Sequence, residues 1–260
     1  MKNSLTERKY PMFLTKALCL MCSALFLLTA SCSSKVVKKD EVFDPEKYLE
    51  TADKLVSDKE YDEARKIFLE VKNRDTSKKF TPLAHLRIAE SYIKEGEPDL
   101  GIAEYRKFLE FYPDNQYASH AQYQIAMAYY TQIESADRGS GEAEKALREF
   151  LKLKELYPRN PYRDVLDLRI EKCRTVIADG ELMVGQFYFK KESYAAAIKR
   201  LEGIFKKFPD YKKGDEVLLL LYKSYKALKN NDKAKETLDK MVEKFPSSRL
   251  TSEAKKGIKG

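Results

Sequence analysis

His85 and His120 are the only histidines of this 260-residue chain, and Cys19, Cys22, Cys32 and Cys173 its only cysteines. These are the residues that could bind a metal or act as nucleophiles, and their spacing supports neither role. The histidines fall on different predicted helices, and no neighbouring cysteine or spaced carboxylate completes a metal site. There is no phosphate-binding glycine loop, no G-x-S-x-G elbow and no H-E-x-x-H pair. The carboxylates sit on polar helix faces at helical intervals, the pattern of a solvated surface. No enzyme, cofactor or metal is therefore expected. Cys173 lies on an apolar helical stripe and reads as a small core residue. The one thiol with a chemical fate is Cys32.

Lys2, Arg8, Lys9 and Lys16 precede an apolar run from Ala17 to Leu28, the form of an export signal. As a helix, twelve residues reach only about 18 Å, short of the roughly 30 Å hydrocarbon core, so a stable membrane span is not expected. The run ends Leu28-Thr29-Ala30-Ser31-Cys32. This resembles the bacterial lipobox, although Thr29 stands where leucine is usual. The resemblance implies cleavage before Cys32 and acylation of its thiol. It also implies sorting to the outer membrane, because Ser33 rather than aspartate follows. Residues 1–31 are then a signal peptide and 32–43 a lipidated flexible tether. Several acyl chains anchor firmly where one would not.

Removing residues 1–31 leaves 45 basic and 40 acidic residues, a formal charge of +5. Charge so evenly spread along helices argues against nucleic-acid binding. Lys35, Lys38 and Lys39 of the tether can graze anionic headgroups.

The remaining chain is repetitive. Tyr112-Pro113, Tyr157-Pro158, Phe208-Pro209 and Phe245-Pro246 each end an apolar helical stretch. Twelve residues before each proline stands a small residue (Gly101, Ala146, Ala197, Ala234), and eight before it a large one (Tyr105, Phe150, Leu201, Leu238). Residues four apart share a helix face, so the small residue admits a neighbouring helix and the large one fills the space beside it. The proline stops the helix. Partner helices carry Ala52, Ala89, Ala126 and Gly185 at the matching small positions, whereas Tyr222 replaces the small residue in the fifth pair. The pattern resembles the tetratricopeptide repeat. The expected fold is all-α, a right-handed superhelical array of about five helix pairs (45–77, 82–114, 119–159, 162–210 and 215–247), in a domain spanning 44–250 with a tail at 251–260.

The prolines are 45, 51 and 37 residues apart, so the array is uneven. About eight extra residues in the third pair predict an exposed loop over 134–142. Before the fourth, Leu166, Ile170, Cys173, Ile177, Val184 and Tyr188 keep helical spacing and predict one helix from about Tyr162 to Lys190. Asp44-Pro45 and Thr81-Pro82 each read as an N-cap with proline at the first helical position.

Such arrays present the first helix of each pair as a broad cradle for a peptide or partner helix. The groove positions are Leu49, Asp53 and Val56, then Leu86, Glu90 and Ile93, then Tyr123, Met127 and Tyr130. Each apolar one has a second reading as packing between helices. As a set they suggest a ligand with hydrophobic side chains.

Glu181 to Lys190, Ser193 to Glu202, and Asp137-Arg138 followed by Ala143 to Phe150 resemble the BamD (ComL-type) lipoproteins of outer-membrane β-barrel assembly. So does the order of repeats from about Asp44 to Ser248. The resemblance implies a periplasmic scaffold whose C-terminal repeats bind a POTRA domain of the central β-barrel assembly protein. It implies N-terminal repeats that receive the C-terminal, aromatic-ended signal of unfolded outer-membrane proteins, with accessory lipoproteins as further partners. Arg200 matches a basic position on the POTRA-binding side, where it could pair with a carboxylate. Asp75-Thr76 replaces the usual Tyr-Pro at the end of the first pair. Other repeat lipoproteins, such as a pilus pilotin or an envelope-organising adaptor, are the alternative reading, and a peptidoglycan-acting enzyme is a rival from another class.

Overall fold

The computed structural model describes residues 43–133 and 138–256. The signal peptide, Cys32, the tether to residue 42, positions 134–137 of the expected loop and residues 257–260 lie outside that set.

Asp44 opens the first helix, α1 (Pro45–Ser57), its carboxylate accepting from the amides of Glu46 and Lys47 at 3.0 and 3.4 Å. Four pairs of helices begin here: α1 with α2 (Tyr61–Arg74), α3 (Thr81–Glu95) with α4 (Pro98–Phe111), α5 (Ala118–Tyr130) with α6 (Ser140–Leu156), and α7 (Arg163–Lys190) with α8 (Tyr194–Lys207). A fifth joins α9 (Gly214–Ala227) to α10 (Asn231–Lys244). Each helix packs on the next in chain order, so this is an all-α repeat array.

The aromatic residue before each proline is itself the C-cap. Tyr112, Tyr157, Phe208 and Phe245 have φ of −135°, −128°, −136° and −132°, outside the helical region, as expected of a residue whose backbone clashes with a following proline ring. The small-residue positions make the close approach expected of them. A Cβ added to Gly101 would lie 2.5 Å from Ile93, and one added to Gly185 would lie 2.7 Å from Leu201. Phe68, Tyr105, Phe150 and Leu201 fill the space beside them and are fully buried, each contributing about 1.5–3 kcal/mol of burial. At the exceptional Tyr222 the pair is still buried, Tyr222 and the matching Leu238 each keeping 8% exposure.

α7 passes between two cores. Its first half, from Leu166 to Ile177, packs with Tyr123, Ala146 and Phe150, and its second, from Ala178, joins Leu201, Val217 and Met241. The buried stripe rotates as the partner changes. Val184, expected on that stripe, is 37% exposed, while Leu182 and Gly185 are buried instead.

Three local expectations are corrected. Thr81 is the first residue of α3, not its cap, and Phe80 at the cap position supplies no side-chain bond. That work falls to Asp75, which accepts from the amides of Phe80 and Thr81 at 2.7 and 2.9 Å and from the Thr81 hydroxyl at 3.0 Å. A carboxylate thus secures the turn that lacks a proline. Ser140 to Glu142, expected in the loop, already belong to α6. Finally, Arg249–Lys256 forms a further helix, α11, where a tail was expected from residue 251. Thr251 and Ala254 are buried against the last pair, and the Thr251 hydroxyl donates to the Phe245 carbonyl at 2.7 Å, satisfying an acceptor freed at the end of α10.

Candidate partner-binding face

The nine groove positions divide by burial. Leu49, Val56, Leu86 and Tyr123 are packed into the core, none more than 9% exposed. Asp53, Glu90, Ile93, Met127 and Tyr130 remain partly accessible. Ile93 fills the space over Gly101 and so also serves packing. The accessible part of this face is therefore more polar than the sequence positions suggested.

A continuous polar chain crosses the first helices of four pairs. Asp53 of α1 lies 3.4 Å from Arg87 Nε of α3, and Arg87 Nη1 donates to Glu90 at 2.6 Å. The other Glu90 oxygen is 3.3 Å from His120 Nε2 of α5, and His120 Nδ1 is 2.5 Å from the Tyr162 hydroxyl at the start of α7. Glu90 accepts from the Nε2 proton, and the Tyr162 hydroxyl, which can donate or accept, meets Nδ1. Tyr162 stacks on Tyr123, whose hydroxyl accepts from Arg169 of α7.

Partial burial governs the electrostatics. Burial raises Asp53 above the ordinary carboxylate range, only partly offset by Arg87. Burial also acts on Glu90, but the hydrogen bonds from His120 and Arg87 outweigh it and hold its carboxyl below the usual range. The Tyr162 phenol is raised by burial, with Tyr123 and the Glu90 charge adding to the effect.

His85, the other histidine, is fully buried beside Phe108 and Tyr112 with Nε2 3.2 Å from Glu104, and burial lowers its pKa. Cys173 is buried too, its thiol pushed up to about 11 by burial, the state of a packing residue rather than a nucleophile. Among the described residues no group of three or more side chains could hold a metal, and no helix is long and apolar enough to cross a membrane.

Arg200 lies 70 residues or more beyond the Asp53–Tyr130 positions in sequence, on α8, and its side chain is 48% exposed. Its Nη1 reaches both carboxylate oxygens of Glu181 on α7, at 3.4 and 3.3 Å. Open depressions of about 470 and 480 Å³ flank this pair. Lys199 and Lys207 line the first, and Ile177, Met183, Val184 and Phe187 the second. Met183 and Phe187, one turn apart on α7, are 44% and 56% exposed.

Residues 43–241 match the family described as YfiO, outer membrane lipoprotein. The chain belongs to that family. Both the polar chain and the Arg200 region lie inside the matched span. Similar proteins include the outer membrane protein assembly factor BamD of Rickettsia prowazekii, 25% identical over 79% of this chain and 82% of that one. The BamD of Caulobacter vibrioides is 25% identical over 85% and 73%, and that of Neisseria gonorrhoeae 24% identical over 80% and 81%. Among solved structures, the TPR2AB domain of yeast Sti1 in its pHSP90 complex superimposes with a TM-score of 0.45, at 16% identity over 83% of this chain and 84% of that one. PilW, a type IV pilus biogenesis factor, gives 0.36 at 15% identity over 80% and 96%. Superpositions this loose carry nothing about ligands.

Sequence reasoning missed Arg87, His120, Tyr162 and Arg169 as parts of one arrangement. His120 and Tyr162 are 42 residues apart, and Tyr123 and Arg169 are 46 apart. The available signal covered two of the four: Arg87 adjoins Leu86 and His120 stands one turn before Tyr123, whereas Tyr162 and Arg169 neighbour no assigned groove position in sequence.

Proposed function

We propose that this YfiO-family protein is a non-enzymatic scaffold of outer-membrane β-barrel protein assembly, held to the outer membrane by lipid on Cys32, with its repeats in the periplasm. The observation that carries the reading is the family match across 43–241, joined to relatives named as BamD assembly factors over about four fifths of the chain. Its C-terminal repeats bind a POTRA domain of the central barrel protein beside Arg200. There, basic side chains adjoin an exposed apolar strip, a combination suited to an interface with a charged rim around an apolar centre. The first helices α1, α3 and α5 receive the C-terminal signal of unfolded barrel proteins through Asp53, Glu90, Ile93, Met127 and Tyr130, while Leu49, Val56, Leu86 and Tyr123 hold those helices in register. Accessory lipoproteins complete the assembly.

Calorimetric titration of the mature chain with isolated POTRA domains of the barrel protein from the same cell tests the C-terminal interface. Saturable binding supports it, and no heat beyond dilution at concentrations well above micromolar overturns it.

A further inference from the structure

Arg65, Arg74, Arg106 and Arg169 each touch a tyrosine ring or hydroxyl, and the first three have an acidic partner. Arg65 lies 4.2 Å from the centre of Tyr92 and pairs with Glu95 and Asp62. Arg74 lies over Tyr48 and pairs with Glu70. Arg106 donates to Tyr129 and pairs with Glu149. Arg169 is the exception. Its guanidinium lies 5.2 and 5.9 Å from the ring centres of Tyr123 and Tyr130, and it donates to the Tyr123 hydroxyl. Among the described residues no carboxylate pairs with it. The nearby Asp167 is taken by Lys154 at 2.5 Å.

A guanidinium carries five N–H donors in a fixed fork that matches a carboxylate, and the hydroxyl of Tyr123 takes the place of only one acceptor. We infer that Arg169 is the anchor for the terminal α-carboxylate of a bound peptide whose last side chain is aromatic, that ring resting against Tyr130 and Met127. This rests on the reading that α1, α3 and α5 receive the C-terminal signal of unfolded barrel proteins, and it names the atom group that is read. The setting favours a single carboxylate on an apolar residue over a polyanion. Aromatic walls flank one positive centre, and Glu90 and Asp53 farther along the same row repel additional negative charge. Half-burial of Arg169 strengthens the charge-assisted bond relative to one in open water.

The test uses the mature chain and three fluorescent ten-residue peptides of one barrel-signal sequence ending in phenylalanine. One carries a free C-terminal acid, one a C-terminal amide, and one the amide with glutamate in the preceding position. The acid should bind about tenfold more tightly than either amide, the scale of one charge-assisted bidentate contact. Arg169→Gln should abolish that preference and Arg169→Lys retain part of it, both with circular dichroism like the parent. Equal binding of acid and amide by the unaltered chain overturns the inference and leaves signal binding standing. Equal binding of the acid and the glutamate-containing amide assigns the contact to a side chain and overturns the terminal assignment. A preference that survives Arg169→Gln overturns the choice of residue. Binding of none of the three overturns the signal-binding reading itself, and this inference with it.

Discussion

Tyr162 lies flat on Tyr123, with ring centres 3.6 Å apart and planes 4° apart, while its hydroxyl meets His120. The residue preceding the long helix α7 is thereby clamped to α5, and the polar chain from Asp53 ends on that clamp. α7 starts at this joint, packs on α5 and α6 along its first half and runs on to Glu181 beside Arg200, so it joins the N-terminal groove to the C-terminal region.

Replacing Tyr162 separates the contributions of the clamp. Tyr162→Phe removes only the hydroxyl and should cost about 1 kcal/mol, the usual worth of a hydrogen bond. Tyr162→Ala also removes the stacked ring, and the loss should rise to about 2–3 kcal/mol. Urea midpoints of the two variants, compared with the parent, check the order.

The Asp75 carboxyl is held down at about 2 against an ordinary value near 4. Burial works against this shift, and the bonds from Ser77, Phe80 and Thr81 outweigh it. Because the folded pKa is depressed, the stabilisation is fully present above about pH 4 and disappears as pH falls through about 2. Asp75→Ala should cost about 1–2 kcal/mol at neutral pH, as for loss of a helix cap, and that difference from the parent should shrink toward pH 2. Paired thermal melts across pH 2–7 measure it.

Five residues before the small position of four pairs, the chain turns through left-handed φ: 65° at Lys59, 92° at Gly96, 58° at Glu192 and 57° at Lys229. Only the second pair uses glycine. Gly96→Ala should destabilise by about 1 kcal/mol, since the left-handed region penalises a Cβ. Glu192→Gly should go the other way by a few tenths of that or more, reduced by the entropy of an added glycine. Denaturation midpoints of the two single variants test the opposite signs.

Arg200→Glu should weaken POTRA binding about tenfold while leaving stability nearly unchanged, because an ion pair this exposed contributes little to folding. Swapping both charges, Arg200→Glu with Glu181→Arg, restores the internal pair but should not restore binding if the partner reads the arginine. Titration of both variants against the POTRA domains distinguishes an interface role from an internal one.

The array was legible in the sequence wherever packing imposes a periodic rule. Aromatic-proline endings, small residues twelve positions earlier and the stripe of α7 as far as Ile177 each follow from contacts within one repeat or with its neighbour. The left-handed turns at Lys59, Glu192 and Lys229 were not legible, because no glycine marks them. Asp75 was visible only as a missing proline, since a carboxylate reaching five and six residues ahead leaves no fixed pattern. The candidate face was half legible. Helix position located its nine residues, but whether an apolar side chain faces a groove or a neighbouring helix depends on interhelical distance. Tyr123 therefore belongs to the core, and a charge placed there would disturb folding before it reported on binding. Tyr130 is the better position for that substitution.

Affinity purification of the full-length chain from detergent-solubilised outer membranes of the cell that makes it tests the scaffold role most directly. The expected result is stoichiometric recovery of a β-barrel protein carrying POTRA domains, lost when Cys32 is replaced by serine and the chain no longer reaches the membrane. Efficient recovery of the membrane-bound chain with no such barrel protein would contradict the proposed function.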